Sequence, residues 1–310
     1  DFVSTGPKHA GGKFKSQLES RLEIKTQVIG ALKSEGGACA SSDLGGLKDQ
    51  CVHEGRVLNR VVRWTQQGWE MEPDQRHVDL IVKELGLSEA KPVSTPGESE
   101  SRDDETENSQ LLSAEEASKF RGLAARANYL AADRTDIMYS VKEICRHMAA
   151  PSVGALKKLK RLGRYLLGNP RLTTRYEWQG EESDITGYSD SDWAGCRVTG
   201  KSTSGGVIMI GSHFIKGWSI IRNHVTMMSA EAELLALVKC VMTTVALACY
   251  AMSSSSRNTS HQCRQVQLWL MRRKGDSCLE RSTCKRKGGK GGGATYEALE
   301  QRPSLSSARP

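Results

Sequence analysis

The amino-acid sequence predicts an α/β protein, and two patterns carry that prediction. Between residues 113 and 170 apolar residues recur every three or four positions, which is the spacing of amphipathic helices. From residue 185 to residue 221 the pattern changes to period two with β-branched residues, and a segment rich in Ala and Leu follows at 229–250. Strands followed by such a helix are typical of an α/β arrangement.

Shorter elements are predicted in the first hundred residues. The sequence indicates a helix at 14–29, a strand at 57–64 with a hairpin partner at 68–71, and a helix at 74–85 that Gly86 ends. Residues 98–116 then hold eight acidic residues and one Arg. We expect an exposed linker there, and an acidic interaction segment is the alternative.

Three helices are predicted between residues 113 and 170. Ser113 and Glu116 have the spacing of a capping box at the start of the first helix. The second runs from about residue 136 to just before Pro151, and the third runs from about 152 to 168. The third helix carries a basic cluster that is either a solvated face or a grip on a phosphate backbone, made of Lys157, Lys158, Lys160, Arg161 and Arg164.

The net positive charge of the chain comes entirely from its last 60 residues. The net charge is +8, and residues 251–310 alone hold 12 Lys/Arg and four Asp/Glu, so residues 1–250 are neutral. The same 60 residues are rich in Ser and Gly, which bury too little apolar surface to offset chain entropy. We therefore expect a basic, disordered tail at 253–310.

Several protein classes are excluded by composition. The longest mainly apolar run, at 241–252, is shorter than the ~20 residues of a membrane span, so no membrane partner is expected. Nine cysteines without CxxC spacing favour a reducing, intracellular location, cytoplasmic or nuclear. The chain begins at Asp1 rather than at Met, which is what we expect of an internal fragment.

Strands are predicted at 185–194, 205–210 and 214–221, and two groups of carboxylates flank them. Asp190 and Asp192 alternate along the first strand, and Glu231 and Glu233 lie at the start of the apolar helix. Carboxylate oxygens are the ligands that Mg²⁺ prefers, although strand ends and helix starts also carry acids for structural reasons. Trp193 and Trp218, on the first and third strands, are expected in the core rather than as platforms for base stacking.

Several motifs follow one another in a characteristic order along the chain. They are Lys91-Pro92-Val93-Ser94-Thr95-Pro96, Arg134-Thr135-Asp136-Ile137, Gly187-Tyr188-Ser189-Asp190-Ser191-Asp192-Trp193-Ala194-Gly195, Lys201-Ser202-Thr203-Ser204-Gly205 and Ser229-Ala230-Glu231-Ala232-Glu233-Leu234. In order and spacing they resemble the Pol polyproteins of copia-type retrotransposons. The resemblance covers roughly residues 1–250 and includes the end of the reverse transcriptase, the connection region and the ribonuclease H domain.

The resemblance implies a ribonuclease H-like mixed sheet with a helix, truncated at its C-terminus and preceded by an α+β connection region. It implies that Asp190 and Glu233 are catalytic and hold Mg²⁺ or Mn²⁺, with Asp192 and Glu231 in structural roles. Asp1 matches the second aspartate of the reverse-transcriptase palm and is vestigial, because the rest of the palm is not in this chain. The implied partners are an RNA–DNA hybrid or other nucleic acid and the remainder of the Pol polyprotein.

The chain departs from the family after Tyr250. The family continues with a strand that carries a third aspartate, whereas Asp276 lies five residues beyond the one apolar run of the tail. A shifted reading frame would explain the change of composition, and the encoding DNA in the other frames would test that hypothesis. Two carboxylates neutralise a pair of divalent ions poorly, so we expect the hydrolysis of RNA in hybrids to be lost here.

These inferences divide the chain into five segments. They are the end of the reverse transcriptase at 1–97, an acidic linker at 98–112, a helical connection at 113–170, a partial ribonuclease H-like domain at 171–252 and the tail at 253–310. Two alternatives to an inactive ribonuclease H fragment stay open, namely a non-catalytic remnant that binds nucleic acid and an unstable pseudogene product.

Overall fold

A computed structural model of the chain describes residues 3, 8–23, 27–30, 51–98, 110–180, 184–255, 266–270, 281–286 and 296–300. The predictions for Asp1 and for most of the acidic linker lie outside these residues. The chain divides into two compact units, residues 1–178 and residues 179–310, which are described separately below.

The first unit contains an antiparallel four-stranded sheet in the order β3-β4-β5-β6. Its strands are β3 (Glu54–Val57), β4 (Arg60–Thr65), β5 (Gly68–Glu72) and β6 (Thr174–Glu177). Two short strands, β1 (Val28–Ile29) and β2 (Cys51–Val52), pair in parallel beside it. The single strand predicted at 57–64 is wrong, because Leu58 and Asn59 both have positive φ and turn the chain into a β3–β4 hairpin.

The described residues of the first unit form five α-helices. They are α1 (Lys8–Glu19), α2 (Gln75–Glu84), α3 (Ala114–Ala131), α4 (Met138–Cys145), which follows a 3₁₀ turn at Thr135–Ile137, and α5 (Val153–Gly168). Helix α1 begins and ends earlier than the predicted helix at 14–29. The capping box at the start of α3 is confirmed, since Ser113 and Glu116 exchange both of its hydrogen bonds.

One apolar core contains helices from two of the segments predicted from the sequence. Ile81 of α2 is fully buried together with Phe120 of α3 and Leu159 of α5. The end of the predicted reverse-transcriptase segment and the predicted helical connection therefore share a core. The first unit also extends to residue 178 rather than 170, because β6 pairs with β5 through Tyr176 and Trp69.

The second unit is a six-stranded mixed sheet with one long helix. The strands β7 (Ile185–Ser191), β8 (Thr203–Ile210) and β9 (His213–Ile221) form an antiparallel meander, and helix α6 (Ser229–Ser255) follows. Strand β10 (Val266–Leu270) then lies parallel to β7 on its other side, and β11 (Arg281–Arg286) and β12 (Tyr296–Glu300) continue the sheet.

The three tail strands differ from the disordered tail that composition predicts. The apolar run at 266–270 is long enough and apolar enough to form a strand. If no strand paired with β7 on that side, a row of its backbone N–H and C=O groups would stay unpaired. Register partners such as Thr186 and Gln267 show that β10 satisfies that edge. The sheet of the second unit therefore continues beyond residue 252.

Helix α6 packs on the sheet through small side chains. Its completely buried residues recur every four positions and are Ala232, Ala236, Cys240 and Thr244. A second stripe, Leu234, Val238, Met242 and Val245, is exposed. By length and composition the stretch Ser229–Cys249 is also apolar enough to cross a membrane, and 22% of it is buried in the structure. One such helix is weak evidence of a span, because core helices of soluble proteins reach the same length and composition.

Candidate functional site

The two aspartates of the first motif have different environments. Asp190 lies near the end of β7, next to Gly205 of β8, and is exposed. Asp192 follows the strand, and its Oδ1 accepts the backbone N–H groups of Thr203, at 2.6 Å, and of Gly195, at 3.3 Å. Asp192 therefore has the predicted structural role, whereas Asp190 is available for chemistry.

Hydrogen bonds fix the turn that follows β7. Ala194 has a positive φ of 52°, and its N–H donates to the Ser202 hydroxyl at 3.1 Å. That hydroxyl lies 3.1 Å from the buried Thr226 hydroxyl, and Trp193 Nε1 donates to the Thr226 carbonyl at 3.2 Å. Trp193 is 55% exposed, so its predicted core position is wrong, while Trp218 is buried as predicted. The motif sequence builds a rigid turn, which aims the indole of Trp193 outward.

The two glutamates lie in the first turns of α6. Glu231 Oε2 accepts the backbone N–H of Met227 at 2.7 Å, so this carboxylate closes the turn before the helix. Glu233 is partly exposed, and its Oε2 atom is buried. The helix that carries them is tied to β7 further along, where the Cys240 thiol donates to the Tyr188 carbonyl at 3.7 Å.

The donor set matches the chemistry of Mg²⁺ but not its ligand number. Asp190 and Glu233 offer hard carboxylate oxygens, which suit Mg²⁺. Within the described residues, however, no group of three or more His, Cys, Asp and Glu side chains lies close enough to hold a metal ion. Asp192 and Glu231 are engaged with backbone N–H groups. The described residues therefore do not fit a pair of divalent ions.

Two members of the basic cluster on α5 bind the chain itself. Arg164 Nε donates to the Lys91 carbonyl at 2.7 Å. Arg161 donates to Thr95 Oγ1 at 2.9 Å and pairs with Glu98 at 2.7 Å. Both arginines hold residues 91–98, which we call the strap, against α5. Lys157 and Lys160 are exposed and Lys158 is partly exposed.

Sequence reasoning missed a second group of cations, which lies in the second unit. Lys216 and Arg222 belong to the β9 region, and Lys239 belongs to α6. Lys216, Trp218, Ile220 and Arg222 alternate along the chain, and that period-two pattern was the one available signal. Lys239 is distant in sequence, so only the fold brings it to the group.

Curated relatives of the chain come from a plant. It is 31% identical over 188 residues to an uncharacterized mitochondrial protein of Arabidopsis thaliana, a match that covers 60% of this chain and 73% of that protein. It is 31% and 30% identical to the retrovirus-related Pol polyproteins from transposons RE1 and RE2 of the same plant, over 51% and 54% of this chain. No protein-family model and no solved structure matches it.

The matched region spans 11% of each Pol polyprotein, so the activities, substrates and partners of a whole polyprotein are proposals for this chain. The motifs and the relatives nevertheless agree on its origin. The chain belongs to the family of copia-type retrotransposon Pol polyproteins.

Proposed function

We propose that the second unit is a ribonuclease H-like domain that engages an RNA–DNA hybrid without hydrolysing it. The family activity, hydrolysis of the RNA strand of hybrids during reverse transcription, is then lost in this chain. The remainder of a Pol polyprotein would be its partner, and its action would be intracellular, in the cytoplasm or the nucleus.

The observation that carries this proposal is the order and direction of the strands. Three antiparallel strands, β7 to β9, lead into helix α6, and β10 returns parallel to β7. This arrangement supports the ribonuclease H-like fold that the motifs imply. It also explains the place of the two candidate catalytic residues, since Asp190 lies on the central strand β7 and Glu233 lies on the helix that packs on that strand.

The proposed inactivity follows from the carboxylate count. Hydrolysis of a phosphodiester by two divalent ions requires ligands that neutralise both ions and orient the attacking water. Among the described residues, Asp190 and Glu233 supply two carboxylates, and one oxygen each of Asp192 and Glu231 accepts backbone N–H groups. This donor set leaves two such ions under-coordinated. Binding of a hybrid does not need the ions, because it proceeds through the sugar-phosphate backbone and the 2′-hydroxyl groups.

Cleavage of a labelled RNA–DNA hybrid tests this function. We expect no cleavage by the purified chain in Mg²⁺ or Mn²⁺, and measurable binding that Asp190→Asn and Glu233→Gln leave unchanged. Cleavage that both substitutions abolish would contradict the proposed inactivity and would mean that the site is complete. Absence of any binding to the hybrid, together with a non-cooperative thermal melt, would favour an unstable pseudogene product instead.

The second candidate is a nucleic-acid binder that uses helix α5 of the first unit instead of the ribonuclease H-like unit, and the exposed lysines of α5 favour it. Binding through Lys157, Lys158 and Lys160 would depend steeply on salt, because each phosphate contact releases counterions. A triple Lys→Gln variant that flattens the salt dependence of hybrid binding would assign the contact to α5.

A further inference from the structure

Three cations and one tryptophan lie together along the edge strand of the second unit. Lys216, Trp218 and Arg222 alternate with period two, which places them on one face of β9 and its extension. Lys239 of α6 approaches the same face, where its Nζ lies 5.9 Å from the centroid of the Trp218 ring. We call these four residues the β9 track.

The Trp218 ring packs against the neighbouring strand β8. Trp218 is the register partner of Gly206 on β8, and a Cβ at Gly206 would collide with the ring. The ring is 8% exposed and belongs to the apolar core of this unit. A rigid indole therefore forms the floor of the track, with Lys239 above its face.

The positive charges of the track are not neutralised by the described residues. None of Lys216, Arg222 and Lys239 forms an ion pair with a carboxylate of the described chain. Burial lowers the pKa of Lys239, and repulsion from Arg222 and Lys216 lowers it further. Burial also lowers the pKa of Arg222. The three like charges therefore repel one another, and a bound anion would relieve that repulsion.

One hydrogen-bond donor of the track supports this reading. Arg222 Nε donates to the Ser204 hydroxyl at 2.7 Å, but its Nη2 is buried and has no acceptor among the described residues. Buried donors are nearly always paired in folded proteins, so an acceptor oxygen that reaches this partly exposed guanidinium would satisfy it. The Trp218 Nε1 also has no acceptor there, but its ring lies in the apolar core, out of reach of an external ligand.

The dimensions of the track favour a chain of anions over a single one. Arg222 lies six positions after Lys216, and a strand rises about 3.3 Å per residue, so the row extends for about 20 Å. One phosphate group is far smaller than this row. Strand β9 is also the last strand on its side of the sheet, where a long ligand meets no further strand.

We propose that Lys216, Arg222 and Lys239, grouped around Trp218, bind successive backbone phosphates of one nucleic-acid strand. The Arg222 guanidinium donates to phosphate oxygens, and the two lysine ammonium groups neutralise neighbouring phosphates. The inference deepens the proposed binding of a hybrid by naming a contact surface away from Asp190 and Glu233. It does not depend on whether the chain cleaves RNA.

Oligonucleotide binding by the whole chain tests the track. We expect Arg222→Gln and Lys239→Gln each to weaken binding of an RNA–DNA hybrid about tenfold, as the loss of one charge-assisted contact does. The slope of log K against log salt should become shallower by about 0.9 for each variant. Lys119→Gln, which removes an exposed lysine of the first unit, is the matched control and should leave affinity and slope unchanged.

Thermal unfolding without nucleic acid separates binding from a structural role. Lys239→Gln removes a partly buried cation that Arg222 and Lys216 repel, so this variant should melt at the wild-type temperature or above it. Arg222→Gln also loses the hydrogen bond to Ser204, so a modest decrease is expected for that variant alone. A markedly lower melting temperature in both variants would overturn the proposal, because the cations would then hold the fold. Wild-type affinity for the hybrid in both variants would also overturn it.

Inorganic phosphate distinguishes the source of the anion. One result would show that the track binds free phosphate and not a nucleic-acid backbone. In that result, phosphate raises the melting temperature of the wild type but not of the variants, and the wild type and the variants bind the hybrid with equal affinity. Cleavage of the hybrid by the wild type would contradict the proposed inactivity alone.

Discussion

Arg134 and Asp136 form a two-point ion pair inside the first unit. Arg134 Nε lies 2.9 Å from Asp136 Oδ1, and Nη2 lies 2.6 Å from Oδ2. The arginine is only 1% exposed, and its Nη1 also donates to the carbonyls of Asn169 and Pro170 beyond the end of α5. Tyr165 donates its hydroxyl to Asp136 Oδ2 at 3.0 Å. The pair thus joins the segment before α4 to the end of α5.

Loss of one partner of this pair should be strongly destabilising. Arg134→Met leaves a partly buried carboxylate and two backbone carbonyls without their donor, and breaking such a buried pair costs about 3–5 kcal/mol. Urea unfolding should show that loss in the free energy of unfolding. Arg175→Gln breaks an exposed pair with Glu70 and is the control, with an expected loss of about 0–1 kcal/mol. Equal losses in the two variants would contradict a structural role specific to Arg134.

Acid should destabilise the first unit through its paired carboxylates. Burial opposes ionisation of Asp136, yet the hydrogen bonds and charge of Arg134 outweigh it and lower the pKa of Asp136. The hydrogen bond from Arg171 is the main cause that lowers the pKa of Glu72, which is 4% exposed. A carboxylate with a lowered pKa in the folded state stabilises the fold above its unfolded pKa, about 4, and this contribution is lost as the pH falls through the folded pKa.

We therefore expect the free energy of unfolding to decrease steadily below about pH 4. Urea unfolding between pH 3 and pH 7 would measure it. Asp136→Asn and Glu72→Gln should each start from a lower stability at pH 7 and show a weaker dependence on pH. A variant whose pH dependence parallels that of the wild type would show that its carboxylate contributes nothing to acid sensitivity.

The strap should detach when its arginine contacts are removed. Arg161→Gln loses the contacts with Thr95 and Glu98, and Arg164→Gln loses the contact with the Lys91 carbonyl. Hydrogen exchange of the strap amides should accelerate in the double variant, because opening needs less free energy. Lys160→Gln removes an exposed cation of the same helix and should leave the exchange unchanged. Unchanged exchange in the double variant would mean that other contacts hold the strap.

The exposed apolar stripe of α6 should be dispensable for stability. Leu234→Gln, Val238→Gln and Met242→Gln change side chains that are at least half exposed, so each should alter the free energy of unfolding by less than about 0.5 kcal/mol. The triple variant should aggregate at a higher concentration than the wild type, as light scattering would show. Ala236→Gln inserts a polar group on the fully buried side and should lower the melting temperature clearly. Similar losses in the two variants would mean that the stripe is covered in solution.

Much of the local structure could be predicted because it depends on neighbouring residues. The sequence predicts the capping box at Ser113, the helix at 152–168 and the three strands of the meander. Each of these elements depends on residues close to one another along the chain. Asp192 and Glu231 each accept a backbone N–H with one carboxylate oxygen, as expected of acids at a strand end and at a helix start.

The rest depends on contacts that no local pattern specifies. The turn at Leu58 and Asn59 interrupts an apolar run. Leu rarely adopts a positive φ, so its presence does not indicate a turn. Strand β6 joins the first sheet over about a hundred residues, and β10 satisfies an edge that only the folded sheet creates. Lys239 is distant in sequence from Lys216 and Arg222, and only the fold brings it beside Trp218. Tertiary pairing, rather than propensity, decides these features.

The place of β10 beside β7 tests the central claim most directly, because the parallel return after α6 is the observation on which the ribonuclease H-like domain rests. Thr186 and Gln267 are register partners, and Cα atoms of neighbouring strands lie within the 4.4–6.8 Å range of a disulfide. Oxidation of the Thr186→Cys/Gln267→Cys variant, read by mass spectrometry of its peptides, should give the cross-link. The Thr186→Cys/Leu268→Cys variant, one residue out of register, should give much less. Equal cross-linking in the two variants, or none in the first, would contradict the strand order and with it the proposed domain.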